Sequence, residues 1–384
     1  MRDAVIVEAV RTPVGKRNGG LSSVHPTDLS AHVLGTLVER AGIDAGLVDD
    51  VIWGCVGQVG EQTFDIGRNA ALAAGFPETV TGVTIDRQCG SSQQAVHFAA
   101  AGVIAGQYDL VIAGGVESMS RVPMGSSLLD KSPLGERFLA RYDGVFPDQG
   151  TGAEMIAERW GLSRAQCDEF SLGSHEKAAT AQDDGRFDAQ IAPVTLADGT
   201  VISRDEGIRR GGTVEGLAKL KTVFRPVEKG GVITAANSSQ ISDGSAALLI
   251  TSSEKAAELG LTPIARIHTA VLAGADPIMM LTAPIPATQK VLARSGLTLA
   301  DIGVFEVNEA FAPVPLAWLA DIGADAKSLN PNGGAIALGH PLGGSGARIM
   351  TTMVNHMRDH GIRYGLQTMC EGGGQANATI VELL

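Results

Sequence analysis

Twice along this chain, a loop carrying one reactive side chain leads into a helix-like run, a strand-like run and a glycine-rich exit. The first copy reads Cys89-Gly90-Ser91-Ser92, a helix, a strand, and Gly114-Gly115. The second reads His340-Pro341-Leu342-Gly343-Gly344-Ser345, a helix, a strand, and Cys370-Glu371-Gly372-Gly373. A repeat of whole supersecondary units constrains the fold more than any single motif. It predicts two similar halves packed so that Cys89 and His340 meet.

Around the first copy, strand patterns at 4–10, 51–56, 80–85 and 110–113 alternate with helix patterns at 26–41, 66–74 and 93–105. Such alternation predicts an α/β architecture with parallel pairing. The pattern breaks near Glu117. From there to about Ser239 the chain is richer in Pro, Gly and charge, with helix patterns only at 152–160 and 164–184. This stretch reads as an inserted helical, loop-rich subdomain. Strand patterns return at 246–251, 265–273, 304–307, 365–369 and 376–382, with helices at 283–295, 315–320 and 346–360 between them. The expected divisions are residues 1–117 with 240–262, the insertion 118–239, and residues 263–384.

Composition narrows the function. The 384 residues are 44% hydrophobic and 19% charged, the make-up of an ordinary globular protein. A net charge of −12 without a basic stripe argues against general nucleic-acid binding. No apolar run approaches the ~18–20 residues of a membrane span. Asp3 and Glu8 inside the first apolar run favour a strand over a signal peptide. Four scattered cysteines (Cys55, Cys89, Cys167, Cys370) suit neither a disulfide framework nor zinc, and point to the reducing cytoplasm.

Cys89 at a helix start admits two readings. It can be a small buried residue, or a thiol activated by the helix dipole and a neighbouring imidazolium. His340 lies in NPNGGAIALGHPLGGSGAR, where glycines let backbone and ligand approach closely. A phosphate loop is excluded there because Ser345 stands where that motif needs lysine. Cys370 follows a strand and precedes glycines whose N–H groups can receive an oxyanion. Asn308 also closes a strand, where open α/β sheets place their sites.

Together these stretches resemble the thiolase family over essentially the whole chain. The matching motifs are QCGSS at Cys89, NEAFA at Asn308, GGAIALGHPLGGSGAR at His340, and CEGGG at Cys370; TAANSSQISDGSA (234–246) stands for the family's TAGNxSGxxDGA. The resemblance implies the thiolase fold: two βαβαβαββ halves in five αβαβα layers, plus a loop domain forming the CoA and acyl pocket. It implies CoA-dependent cleavage of a 3-ketoacyl-CoA, with acyl-CoA and CoA as partners and neither a metal nor a permanently bound cofactor. Cys89 would be acylated after activation by His340, and Cys370 would protonate the departing enolate. Asn308 and His340 would form one oxyanion hole, and the N–H groups of Cys89 and Gly372 the other. Arg209 and Ser239 fall at CoA-contact positions, with Ala310 and Phe311 along the pantetheine tunnel. The cluster of Arg209, Arg210, Lys219 and Lys221 reads equally as a phosphate site or a solvated loop. Family members assemble as homodimers or homotetramers.

One stretch departs from the acetoacetyl-CoA-type members, which carry His-Met-Gly where this chain has Asp148-Gln149-Gly150. That points to a bulkier or more polar acyl chain. GKRNGGLSSVHPTDL, GEQTFDIGR and DRQCGSSQQAVHFA are similar to stretches of the thiolases of actinobacterial steroid catabolism. The readings open from sequence are a steroid-derived ketoacyl-CoA, a fatty ketoacyl-CoA or acetoacetyl-CoA, with a non-catalytic acyl-CoA-binding protein as the rival from another class.

Overall fold

In the first strand, β1 (Val5–Arg11), alternate side chains go to different cores: Val5, Val7 and Val10 to one, Ala4, Ile6 and Ala9 to another. Period-two alternation with both faces apolar means a sheet buried on both sides. The computed structural model describes residues 2–384. It continues with α1 (Pro26–Ala41), β2 (Asp50–Gly54), α2 (Ile66–Ala73), β3 (Thr81–Ile85), α3 (Ser91–Ala105) and β4 (Leu110–Ser118). After the insertion, which contains α4 (Gln149–Arg159) and α5 (Arg164–Asp183), comes β5 (Ser242–Thr251). The rest is β6 (Ala265–Gly274), α6 (Pro284–Ser295), β7 (Val304–Val307), α7 (Pro313–Ile322), α8 (Ser345–His360), β8 (Tyr364–Glu371) and β9 (Gln375–Leu383).

The strand order is β7-β8-β9-β6-β1-β5-β4-β2-β3. Only Val5↔Arg266 and Ile6↔Ala265 join β1 to β6, so the path is two sheets meeting at a narrow seam. Three cores sort the helices into the expected five layers. α1 and α2 cover the outer face of the first sheet with Leu34, Leu37 and Ile66. α3 and α8 lie between the sheets, contributing Val96, Ala99, Met350 and Met353. α6 and α7 cover the second sheet with Val291 and Trp318. No described helix is long and apolar enough to cross a membrane.

One expectation holds and one needs correction. The strands that alternate with helices pair in parallel as expected, β2 with β3 and β4 and β7 with β8, while β5 runs antiparallel to both β1 and β4 as the closing strand of its half. The second half closes in the same way, β9 running antiparallel to β8 across a turn of three glycines. It lacks, however, a full third strand. Its place is taken by one bridge, Phe305↔Leu329. There the Asn330 side chain replaces the ladder, with Val307 N donating to Oδ1 and Nδ2 donating to Val307 O, each at 2.9 Å. Pro331, which has no N–H, follows at once.

Candidate active site

The Cys89 loop is bent by its own side chains. Gln88 has φ 49°, a left-handed conformation that is uncommon outside glycine. Ser91 Oγ holds the turn, accepting from Arg87 N at 2.9 Å and donating to Gln88 O at 2.6 Å. Cys89 thus leads directly into α3 through Gly90. It is 4% exposed and clusters with Met119, Leu342, Ile349 and Met369. Leu342 comes from the His340 loop and Met369 from β8, so the two halves meet at the thiol.

His340 is fixed at both ends. Its N–H donates to Gln240 O at 3.2 Å and lies 3.1 Å from Ser242 Oγ. Its Nδ1 lies 2.6 Å from Ser345 Oγ, which donates its single proton to Pro341 O at 2.8 Å. Nδ1 must therefore carry the ring proton, leaving Nε2 as the acceptor. Asn308 Nδ2 sits 3.5 Å from that Nε2. Asn308 extends the β7 ladder, donating from N to Thr368 O at 3.1 Å. Its buried Oδ1 meets no donor among the described residues. Cys370 is fully buried on β8, where the Asn308 side chain and the Ala310 backbone offset part of the rise that burial gives its thiol.

Burial sets the protonation states. It pushes the Cys89 thiol well above its ordinary value, helped by nearby Cys370 and Glu371. Cys370 is pushed up to about 12, mainly by burial. His340 is pushed down to about 3 by burial and then by Arg348. The resting pair is therefore a neutral thiol and a neutral imidazole, not the thiolate expected from a helix start. Desolvation penalises a thiolate and an imidazolium alike.

Beside this group lies a cavity of about 230 Å³ whose wall includes His340, Ser239, Phe311, Gln149, Met119 and Phe224. Phe224 and Phe311 meet edge to face with centroids 5.9 Å apart. Gly372 abuts the nucleophile loop, since a Cβ on it would stand 2.8 Å from Gln88 Oε1. Ala310 joins cavity to site, accepting from Ser239 N at 2.8 Å. Arg209 lies apart: it lines another hollow, with His175 and Arg210, where its N–H donates to His175 Nδ1 at 3.1 Å. Arg210 pairs with Asp183 at 2.7 Å. Sequence reasoning missed Ser345, whose signal was its position five residues after His340 in the same motif, and Met119, which carried none.

This fold and site define an acyl-transferring enzyme class. The family model for the thiolase N-terminal domain matches residues 4–254, and that for the thiolase C-terminal domain residues 261–383. A steroid 3-ketoacyl-CoA thiolase, FadA6, of Mycobacterium tuberculosis is 48% identical, over 100% of this chain and 95% of that protein. A 3-ketoacyl-CoA thiolase of Photobacterium profundum is 44% identical over the full length of both. The crystal structure of the Bacillus anthracis acetyl-CoA acetyltransferase superposes with a TM-score of 0.91 at 39% identity, covering 100% of this chain and 99% of that one. The chain belongs to the thiolase family.

Proposed function

We propose that this chain is a 3-ketoacyl-CoA thiolase working through an acyl-enzyme on Cys89, in the breakdown of steroid-derived or fatty acyl chains. The carrying observation is the convergence of four side chains. Cys89 shares a cluster with the His340 loop, and His340, Asn308 and Cys370 form one contact chain. In the cleavage direction the Cys89 proton passes to His340 Nε2, and the sulfur attacks the ketone carbon. The C2–C3 bond then breaks and its electron pair leaves on the acetyl-CoA enolate, which takes the Cys370 proton. The Cys370 thiolate deprotonates incoming CoA, whose sulfur takes the acyl group, and His340 returns the proton to Cys89. Asn308 and His340 would steady the enolate oxygen, and the N–H groups of Cys89 and Gly372 the tetrahedral one. Ping-pong kinetics follow.

The cavity wall supports a pantetheine path past Ser239, Ala310 and Phe311, with CoA as co-substrate. Arg209, outside that cavity, would meet only the phosphate end of the cofactor. The insertion 118–239 supplies Met119, Gln149 and Phe224 to the wall, in line with its assignment as the pocket-forming unit between 1–117 with 240–262 and 263–384. A steroid-type acyl chain is supported by the kinship with FadA6 and by polar Gln149 in the wall. A homo-oligomer is supported by the free edge of β3, which pairs only with β2 and exposes Val83. Four free buried thiols suit the cytoplasm.

The test is thiolysis of a panel of steroid-side-chain, fatty and acetoacetyl CoA thioesters, with intact-mass reading of the trapped enzyme. The expected result is a covalent adduct on Cys89, heaviest and fastest-forming with a bulky substrate, and absent in a folded Cys89→Ser variant. Preference for acetoacetyl-CoA would move the reading to a biosynthetic enzyme. No adduct with any substrate would leave a non-catalytic acyl-CoA-binding protein.

A further inference from the structure

Glu117 and Glu371 stand at corresponding places, at the ends of the β4 and β8 strands that follow the two reactive loops. Both carboxyl groups are buried, 2% and 0% exposed. Neither pairs with a lysine or arginine within salt-bridge distance among the described residues. A buried carboxylate without a cation is costly unless N–H groups surround it.

Glu117 has such a set. Its Oε1 accepts from Gly57 N at 3.0 Å and Gln62 Nε2 at 2.7 Å. Its Oε2 accepts from Val56 N at 3.0 Å and from Gly343 N at 2.9 Å. The first three donors belong to the half that carries Cys89. Gly343 belongs to the other half, three residues after His340. The contact is tight, since a Cβ on Gly343 would stand 2.6 Å from Cys55 Cα.

Glu371 makes the converse crossing. Its Oε1 accepts from Asn377 N at 3.1 Å, while Asn377 Nδ2 donates to Gly90 O at 3.0 Å. A Cβ on Gly90 would collide with the Glu371 carboxylate, so the carboxylate lies flat against the residue after Cys89. Glu117 thus bonds the opposite reactive loop directly through Gly343 N, while Glu371, whose Oε2 meets no donor among the described residues, packs against Gly90 and reaches that loop through Asn377.

We propose that Glu117 and Glu371 are reciprocal positioning residues, each fixing the loop of the opposite half so that Cys89 and His340 stay in transfer geometry. The inference rests on the thiolase reading above. Neither carboxylate exchanges a proton with substrate in this scheme; each acts through backbone. Gly54 and Gly115 serve the same end, because side chains there would drive the Gly343 carbonyl away.

The test is the rate of Cys89 acylation by a 3-ketoacyl-CoA, read by intact mass, beside CoA affinity by calorimetry and the melting transition. Glu117→Gln keeps the shape but turns an NH2 group toward N–H donors. It is expected to slow acylation about 100-fold through misplacement of His340, with CoA affinity unchanged. Gln62→Ala removes a partner of the same carboxylate without touching the His340 loop, and is expected to acylate close to the parent rate. A general loosening of the first half would slow both variants alike, and that outcome overturns the proposal. If Glu117→Gln does not fold, Asn377→Ala provides the reciprocal arm: a folded variant with parental acylation overturns the proposal, and a slowed one with intact CoA affinity upholds it. Failure of the parent protein to acylate would instead refute the thiolase reading itself.

Discussion

The loops of Cys89 and His340 occupy matching places in the two halves, yet they are built on different principles. The first is a backbone device: Gln88 takes φ 49°, and the thiol sits one residue before Gly90, the cap of α3. The second is a side-chain device. His340 stands five residues before α8, after Gly339 at φ 101°, and is aimed by Ser345. The contrast follows from reach. A cysteine has one carbon between backbone and sulfur, so only the backbone can place it. An imidazole can swivel, so a hydrogen bond must stop it.

Breaking the second device should have the largest effect on turnover. Ser345→Ala removes the acceptor of the Nδ1 proton, freeing the ring to rotate and to take the other tautomer. Turnover should fall about 10–100-fold, with KM for CoA little changed. Ser345→Thr, which keeps the hydroxyl, should recover much of the loss. Steady-state thiolysis measures this; an alanine variant with parental kcat would show that Asn308 alone orients the imidazole.

The comparison also explains what the sequence made legible. Both reactive loops and the strand β7 stand where periodicity and glycine placement put them, because each half writes its units locally. α1 matches its predicted span, and β7 likewise. What escaped was decided by single side chains. The missing third strand depends on Asn330 standing in for backbone. The site shows the same division. Cys89, His340, Cys370 and Asn308 carry their chemistry in their residue types, which is why the sequence singles them out. Their protonation could not be read, because burial by residues distant in sequence reverses the shift a helix start alone would give. Arg209 looked like one member of a positive cluster, but its backbone is tied to His175 in a separate hollow.

The opposed shifts behind the two loops give a second effect, on stability. Burial raises Glu371, beside the Cys89 loop, to about 8, so the native state keeps a proton that the unfolded chain releases above about pH 4.5. Its contribution to stability is complete at low pH and is lost as pH rises toward 8. His340 runs the other way. Pushed down to about 3, it favours a neutral native state whose contribution is complete above about pH 6.5 and is lost as pH falls. Glu371→Gln should therefore flatten the decline between pH 5 and 8 by on the order of 3–4 kcal/mol, measured as urea midpoints at several pH values. An unchanged slope would mean that Glu371 is ionised in the native protein.

The smallest effect sharpens the backbone side of the comparison. Left-handed backbone costs a non-glycine residue about 1 kcal/mol, and glycine at position 88 would remove that cost while adding freedom to the unfolded chain. The two terms nearly cancel, so Gln88→Gly should shift stability by less than about 1 kcal/mol in thermal unfolding. Acylation should slow nonetheless. The strained turn is held by Ser91 and by Asp86, whose Oδ1 accepts from Gln88 N at 2.6 Å, and its restricted φ keeps the thiol pointed at the other half. Glycine would widen the range of thiol positions without unfolding anything. A variant that acylates at the parental rate would show that Ser91 and the carboxylate behind Gly90 suffice to place the sulfur, and that the left-handed residue is a consequence of the turn and not its cause.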